Sequence, residues 1–307
     1  MKALSVVDLP EPVFERFRGR MTVIQGTLED AGAVQPDVLL CSINPYRFDH
    51  KVIAGLPASV RAIATYSVGY DHIDLAAAAD RGIAVFNTPG VLSDAVADAA
   101  LLLILGAARR ATESIALLRE GRWKGWTPRQ LIGVGLAGKC LGIFGMGNIG
   151  RRIAARARAF GMAIAYHDQR EIPGEDGRFF SDPRRLVAES DVVVLAWPST
   201  AETRHFIAAD TLQLAKPTMI LVNIGRGDLV KDDDLIAALR AGRIFAAGLD
   251  VFENEPNLNP DYLDLPNAFL LPHIGSSTWE ARLAMADILA DAVEAHAAGE
   301  TPANRIA

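Results

Sequence analysis

Short runs of apolar, often β-branched residues alternate along the chain with alanine-rich segments whose apolar residues recur at helical spacing. Strands that alternate with helices indicate βαβ units and parallel sheets. The predicted strands are KALSVV, MTVIQ, DVLLCSI, VRAIATYSV and GIAVFN in the first half, and CLGIFGMG, MAIAYHD, DVVVLAW, TMILVNIG, RIFAAGLDVF and NAFLLPH in the second. Two such groups exceed what one ordinary sheet needs, so the pattern predicts two doubly wound α/β lobes.

One long helix is predicted between the two groups of strands, over residues 91–121. Ser93 or Asp94 is suited to its N-cap, and Gly121 lies near its end. Its apolar residues cover most of the circumference, so we expect it to be buried between domains or subunits. A last helix is predicted where STWEARLAMADILADAVEAHAAGE follows the final strand.

Composition narrows the class of protein. The 307 residues are enough for two domains, and half of them are hydrophobic, so sizeable cores can be buried. The net charge of −6 and the lack of a strongly basic stretch argue against nucleic acid as a partner. Cys41 and Cys140 have neither CxxC nor zinc-ligand spacing, which is typical of core thiols in a reducing compartment, and no metal is expected.

No segment is typical of a targeting or membrane-spanning element. The first ten residues, MKALSVVDLP, are typical of an opening strand and lack the apolar core of a signal peptide. The longest apolar run, AALLLILGAA, is too short to span a bilayer. We therefore expect a cytoplasmic globular protein without a membrane partner.

The strongest single motif is GIFGMGNIGRRIAARARAFGM, in which three glycines form a G-x-G-x-x-G turn between a predicted strand and a helix. Gly145 allows a tight turn, Gly147 lets backbone N–H groups approach a pyrophosphate, and Gly150 lets the helix pack against the strand. The next strand ends at Asp168, eighteen residues after Gly150, where a carboxylate can accept hydrogen bonds from an adenine ribose. A solvated strand-end acid is the alternative for Asp168. Together these features predict a dinucleotide site.

Two stretches of the second half resemble the signature region of the D-isomer-specific 2-hydroxyacid dehydrogenases. They are ILVNIGRGDLVKDDDLIAALRAGRIFAAGLDVFENEP and LPNAFLLPHIGSST. Upstream, YSVGYDHID, the NTPG at 87–90 and VADAALLLIL are similar to segments of that family's first domain, and PSTAETRHFI is similar to its proline–threonine loop. Trp123 and Trp126 resemble a pair found in the glyoxylate/hydroxypyruvate reductase branch, although plain packing would explain them equally well.

Membership of this family implies two Rossmann-like domains, one inserted into the other. The substrate domain is expected at 1–97 with 283–307, and the NAD-binding domain at 98–282. The resemblance also implies a homodimer, because the apolar helix after Val91 is similar to the family's dimerisation surface. The implied reaction is hydride transfer between NAD(P)H and a small 2-oxo acid or D-2-hydroxy acid, such as glyoxylate or hydroxypyruvate.

The family implies three catalytic residues. His273, after the strand FLL, matches the acid/base histidine, and imidazole titrates near pH ~6.5, which suits proton transfer in both directions. Glu255 matches the acid that hydrogen-bonds this histidine, whereas Glu253 is expected to be a surface glutamate. Arg226 matches the arginine that binds the substrate carboxylate, for which a planar, permanently charged guanidinium is suited. From the residues alone, the alternatives are a loop histidine, a surface glutamate and a capping or salt-bridged arginine.

Further contacts are expected from loops of both domains. Val68 and Gly69 match the loop whose backbone N–H groups bind the substrate carboxylate. Tyr46 and Arg47 lie where this family often shapes its substrate pocket, and a surface charge is the alternative for Arg47. On the cofactor side, contacts are also expected from Asn148, Ile149, Ile224, Asp250 and Gly275. For Asp250, the alternative is a solvated acid at a strand end.

Two questions stay open at this point. Asp168 would repel the 2′-phosphate of NADPH, which favours NAD, whereas Arg170 in the same loop could bind that phosphate, so NADP is the alternative cofactor. The second question is function, because the C-terminal binding protein corepressors of this fold group bind NAD(H) and act mainly as scaffolds. Nothing in this chain resembles their extra tails, which favours the enzyme.

Overall fold

The computed structural model describes residues 1–307, which divide into two compact units. The first comprises Met1–Leu92 and Ser277–Ala307, and the second comprises Ser93–Ser276. Each unit is an α/β structure built on one parallel sheet, so the predicted fold class is confirmed.

The chain passes from one unit to the other after Leu92 and after Ser276, a few residues before the predicted boundaries at 97/98 and 282/283. Residues 93–97 lie in the first turns of helix α5 (Ser93–Ala108), which packs on the sheet of the second unit. Helix α11 (Trp279–Ala297) packs against the first unit from its first turn onward. Each division therefore falls just before a helix rather than within it.

The first unit contains a five-stranded sheet in the order β2-β1-β3-β4-β5, and all neighbouring strands are parallel. Its central strands are buried on both faces, which is why their sequences are continuous apolar runs. The strands are β1 (Lys2–Ser5), β2 (Thr22–Gln25), β3 (Val38–Cys41), β4 (Ala62–Thr65) and β5 (Ala84–Phe86), and the helices are α1 (Glu11–Arg18), α2 (Ala31–Val34), α3 (His50–Gly55), α4 (Leu75–Asp80) and α11.

The C-terminal segment completes the first unit. Arg16 lies 3.6 Å from Asp287 of α11, and Arg20 pairs with Asp291 of the same helix. The last residues then run along the edge strand β5, where the N–H of Ile306 donates to the carbonyl of Val85 at 2.8 Å. The end of the chain thus returns to its beginning, as the resemblance implies.

The second unit contains a seven-stranded parallel sheet in the order β12-β11-β10-β9-β6-β7-β8. The order reverses at β6 and β9, and the strand ends at such a switch point form the usual ligand site of an α/β sheet. The strands are β6 (Cys140–Phe144), β7 (Ala163–His167), β8 (Arg178–Phe179), β9 (Val192–Leu195), β10 (Ile220–Asn223), β11 (Ala246–Leu249) and β12 (Ala268–Leu270), and the helices are α5, α6 (Ala111–Arg119), α7 (Asn148–Ala159), α8 (Pro183–Glu189), α9 (Ala209–Leu212) and α10 (Asp232–Arg240).

The long helix predicted over residues 91–121 is two helices, so that prediction is wrong. The break falls at Arg110, which has a left-handed φ of +54° and pairs with Glu113 at 2.5 Å. Helix α5 is buried on the sheet of its own unit, where a Cβ on Gly106 would lie 2.3 Å from the ring of Phe269. This close packing on the sheet of its own unit explains why the helix is so apolar.

Three further features bear on the class of protein. Cys41 and Cys140 are both free thiols, and burial raises the pKa of Cys41 to about 12. None of the helices combines the length and the apolarity needed to cross a membrane. No group of three or more His, Cys, Asp or Glu side chains is arranged to hold a metal ion.

Candidate active site

The glycine turn joins β6 to α7. Gly145 has a φ of +93°, which glycine adopts without a steric penalty. A Cβ on Gly150 would lie 2.1 Å from the carbonyl oxygen of Gly145, so glycine is required for the helix to start this close to the turn. A Cβ on Gly147 would project into open space, and no side chain caps the helix that begins at Asn148. Its first N–H groups can therefore bind a pyrophosphate, and the turn fits a dinucleotide.

Asp168 follows β7 and faces this turn. Its carboxylate accepts hydrogen bonds from the backbone N–H groups of Met146, at 2.9 Å, and Gln169, at 2.8 Å. This position beside the glycine turn is the one in which an acid binds the adenine ribose in dinucleotide-binding folds. Arg170, two residues further on, is exposed. Both groups that bear on the choice between NAD and NADP are therefore close to the predicted ribose position.

The predicted catalytic pair is assembled just after β12. Nδ1 of His273 lies 2.6 Å from Oε2 of Glu255, and Oε1 of Glu255 accepts a hydrogen bond from the N–H of Phe252 at 2.8 Å. Because Nδ1 donates its hydrogen bond to the carboxylate, Nε2 is the nitrogen available for proton exchange. A carboxylate at this distance also stabilises the protonated imidazole. The pair can therefore deliver a proton from Nε2 and regain it.

Asp250 fixes the turn that carries His273. Its buried carboxylate accepts hydrogen bonds from the N–H groups of Ile274 and Gly275, each at 2.7 Å, and its carbonyl accepts one from the N–H of His273 at 2.8 Å. Burial raises the pKa of Asp250, and the two N–H donors oppose this rise. These bonds hold His273 at a left-handed φ of +54°. The predicted contacts of Asp250 and Gly275 with the cofactor stay predictions.

Arg226 lies in the turn after β10, and this turn contacts the loop that carries Glu255. Buried Asn223 stabilises the turn, because its Nδ2 donates to the carbonyl of Arg226 at 2.8 Å and its Oδ1 accepts from the N–H of Gly225 at 3.1 Å. A Cβ on Gly227 would lie 1.9 Å from the carbonyl of Phe252, so the two loops touch backbone to backbone. Sequence reasoning missed the roles of Asn223 and Gly227, although both lie in the NIGRGD motif. Ile224, between them, is buried.

The loop of Val68 and Gly69 follows β4 in the first unit. Its carbonyl groups are all engaged: that of Ser67 accepts from the N–H of Thr88 at 3.0 Å, that of Val68 from Nδ2 of Asn87 at 2.8 Å, and that of Gly69 from the hydroxyl of Ser67 at 2.6 Å. These bonds fix the conformation of the loop. They come largely from the NTPG segment, which explains the position of that motif in the chain.

Tyr46 and Arg47 follow β3 in the same unit. The Tyr46 hydroxyl lies 3.4 Å from both a carboxylate oxygen of Glu29 and the N–H of Leu28, and its ring packs on the core. Arg47 is exposed and donates to the carbonyl of Asp71 at 3.3 Å. Their predicted contacts with substrate stay predictions.

The family model for the NAD-binding domain of D-isomer specific 2-hydroxyacid dehydrogenases matches residues 101–275, more than half of the chain. The chain belongs to this family. As a 2-hydroxyacid dehydrogenase it is an NAD(P)-dependent oxidoreductase that acts on CH–OH groups. The resemblance seen in the sequence is thereby confirmed.

Relatives of this dehydrogenase align over most of its length. Glyoxylate reductase from Thermococcus litoralis is 46% identical over 267 residues, which cover 85% of this chain and 80% of that protein. Glycerate dehydrogenase from Hyphomicrobium methylovorum is 41% identical over 309 residues, which cover 96% of this chain and 95% of that protein. The solved NADPH-dependent glyoxylate/hydroxypyruvate reductase from Sinorhizobium meliloti, in complex with NADP and malonate, has a TM-score of 0.89 and 34% identity, with 100% of this chain and 96% of that one covered.

Proposed function

We propose that this dehydrogenase reduces small 2-oxo acids of the glyoxylate and hydroxypyruvate type, with NADH preferred. The observation that carries the proposal is the His273–Glu255 pair, 2.6 Å apart, in the same unit as the glycine turn. The substrate class is supported by the names of the relatives, which are glyoxylate reductase and glycerate dehydrogenase. A 2-oxo acid, NADH and one proton give the 2-hydroxy acid and NAD⁺, because the hydride comes from NADH and the proton from His273.

The predicted residues have distinct tasks in this proposal. Bound NADH supplies the hydride. Arg226 binds the carboxylate of the substrate and polarises its ketone, because a guanidinium presents two parallel donors to a carboxylate. The backbone N–H groups of Val68 and Gly69 bind the same carboxylate. His273 delivers its proton from Nε2 to the keto oxygen, and its contact with Glu255 through Nδ1 orients the ring for this transfer.

Steady-state oxidation of NADH and of NADPH, with 2-oxo acids of increasing size, tests the proposal. We expect glyoxylate and hydroxypyruvate to give the highest kcat/KM, and branched or aromatic 2-oxo acids to give much lower values. Variants of Tyr46 and Arg47 are expected to change the order of substrates rather than the chemistry. Tight NADH binding without turnover of any 2-oxo acid would instead support the scaffold alternative.

Replacing Glu255 with Gln is expected to move the alkaline limb of the reduction rate to lower pH. Reduction needs protonated His273, and the carboxylate at 2.6 Å stabilises that form. Gln has a similar size but no negative charge, so the imidazolium is stabilised less and the rate is expected to fall earlier as the pH rises. The measurement is kcat/KM for glyoxylate between about pH 5 and pH 10, with Glu189→Gln, on the surface helix α8, as the matched control. An unshifted limb in Glu255→Gln contradicts the role of Glu255.

Replacing Asp168 with Ser is expected to lower the preference for NADH over NADPH by about tenfold, which corresponds to ~1.4 kcal/mol. The change relieves the repulsion of the 2′-phosphate and leaves Arg170 free to bind it. Because Asp168 also bonds the N–H of Met146, kcat/KM with NADH should fall as well. The control is Asp264→Ser, which removes an exposed acid before β12, at the opposite end of the strands. A wild-type enzyme that clearly favours NADPH would show that Arg170 governs the pocket.

We also propose a homodimer and a cytoplasmic location. The dimer is supported by exposed apolar side chains along residues 102–132, because apolar surface of this extent is typical of protein contacts. These side chains are Leu102, Ile115, Leu118, Trp123, Trp126 and Ile132. The cytoplasmic location is supported by the two free cysteines, since that compartment keeps thiols reduced.

A further inference from the structure

A second histidine–glutamate pair lies in the same unit as the catalytic one. Nε2 of His205 is 2.8 Å from Oε1 of Glu253, and the two side chains are 35% and 21% exposed. Glu253 precedes Glu255 by two residues, and the sequence predicts that it is a surface glutamate. The more exposed Arg204 approaches the same oxygen only to 4.0 Å. Glu253 is thus a partly buried acid with a specific partner.

His205 is attached to the turn that carries Arg226. Its N–H donates to the carbonyl of Asp228 at 2.7 Å, and the carboxylate of Asp228 accepts from the hydroxyl of Ser199 at 2.7 Å. The N–H of Ile207 also donates to this turn, to the carbonyl of Leu229, at 3.0 Å. Three hydrogen bonds therefore attach the segment 199–207 to the Arg226 turn.

Glu253 is attached to the loop that carries Glu255. The N–H of Phe252 donates to the carboxylate of Glu255 at 2.8 Å, and the backbone of Phe252 contacts Gly227 directly. The His205–Glu253 contact therefore links the Arg226 turn to the Glu255 loop a second time. This link is made by side chains, and it lies beside the place where the backbones of Gly227 and Phe252 touch. Arg226 stands on one loop and Glu255 on the other.

The backbone of His205 supports a positioning role. Its φ is +52°, in the left-handed region that few residues other than glycine adopt, although histidine, like asparagine and aspartate, does so more often than the rest. Such conformations persist where the surrounding structure holds them, and they cluster at functional sites. Here the Asp228 bond holds the backbone and the Glu253 bond holds the ring, so the conformation depends on both loops.

We propose that His205 and Glu253 are positioning residues that hold the Arg226 turn and the Glu255 loop in register for catalysis. Neither residue exchanges protons with the substrate. The pair acts through Glu255, whose distance from His273 decides how well the acid is held, and through Arg226, which must meet the substrate carboxylate. This inference rests on the proposed function, because it concerns the precision of the same active site.

Other charges face the pair and define the conditions of a test. Asp232, at the start of α10, interacts electrostatically with both Glu253 and His205, and burial raises the pKa of Asp232 to about 6 although Tyr262 donates a hydrogen bond to it. Ionised Asp232 repels the carboxylate of Glu253, and the contact of Glu253 with His205 opposes that repulsion. Measurements should therefore extend from below pH 6 to above pH 8.

The test uses Glu253→Ala, Glu253→Gln, His205→Asn and the double variant Glu253→Ala/His205→Asn in the full chain. Asparagine tolerates the left-handed backbone at position 205 and cannot reach Glu253. Glu189→Gln, which removes a charge from a surface ion pair with Arg178, is the matched control. The quantities are kcat and KM for glyoxylate, the alkaline limb of the pH profile, the Kd of NADH from fluorescence, and the midpoint of thermal unfolding.

We expect Glu253→Ala and His205→Asn each to lower kcat/KM by roughly 10- to 100-fold, since small misplacements of catalytic groups have effects of this order. Glu253→Gln, which keeps a hydrogen-bond acceptor, should lose less. The double variant should lose no more than either single one, because both remove the same contact. The alkaline limb should shift to lower pH, as in Glu255→Gln but by less. The Kd of NADH and the unfolding midpoint should stay close to those of the control.

Three results would overturn the inference. One is wild-type kcat/KM with an unshifted alkaline limb in both single variants. Another is additive losses in the double variant, which would mean that the two residues act separately. The third is a loss of turnover that occurs only together with weakened NADH binding and a lowered unfolding midpoint, which would assign a purely structural role. By contrast, a wild-type chain that turns over no 2-oxo acid contradicts the proposed function itself.

Discussion

Replacing His273 with Ala is expected to lower kcat for glyoxylate reduction by a factor on the order of 10²–10⁴, the usual contribution of a positioned general acid. The keto oxygen then lacks its proposed proton donor as the hydride arrives. The Kd of NADH should be nearly unchanged, because the imidazole acts on the substrate oxygen. The measurement combines single-turnover rates with a fluorescence titration of NADH.

The matched control for this variant is His50→Ala, which removes an exposed histidine at the start of α3. It should leave kcat and KM at wild-type values. The bonds of Asp250 to the N–H groups of residues 274 and 275 do not involve the imidazole, so the turn should keep its form in His273→Ala. If His273→Ala retains most of its turnover, the assignment of the acid is wrong.

Replacing Arg226 with Lys is expected to lower kcat/KM by roughly 10- to 100-fold. Hydrogen bonds to charged groups contribute about 1.5–3 kcal/mol each, and an ammonium group cannot reproduce the two parallel donors of a guanidinium. The carboxylate of the substrate would be held by one bond instead of two, so both ground-state binding and the polarisation of the ketone should suffer. We therefore expect KM to rise and kcat to fall.

Arg184→Lys provides the control for this change. Arg184 pairs with Asp210 at 2.6 Å on the surface of the same unit, so the substitution removes a guanidinium fork outside the active site. It should alter neither kinetic constant. Wild-type KM and kcat in Arg226→Lys would contradict the proposed role, since the retained charge would then be sufficient.

Features that depend on neighbours along the chain were predictable. The strands were recognised because parallel strands buried on both faces require continuous apolar runs, and eleven of the twelve strands lie within predicted segments. The missing one is the two-residue edge strand Arg178–Phe179, which is too short to have a pattern. The glycine turn was also predictable, because Gly145 and Gly150 are required by steric constraints within the turn itself.

The proposed catalytic pair could be named from the sequence, whereas its geometry could not. Resemblance singled out Glu255 and His273, which are 18 residues apart in the chain. That their side chains meet at 2.6 Å depends on the pairing of β11 with β12 and on the bonds of Asp250 to the turn after β12. Pairing between strands is a contact across the chain, which a pattern along it does not specify.

Contacts between distant segments were decided by the tertiary structure alone. Nothing local marks Gly227 as the point where the Arg226 turn meets Phe252, or Glu253 as the partner of His205, 48 residues earlier in the chain. Hydrophobic periodicity reflects which face of an element is buried, and steric rules reflect the next few residues. The distances between loops depend on how whole elements pack, and this is why the register of the active site had to be read from the structure.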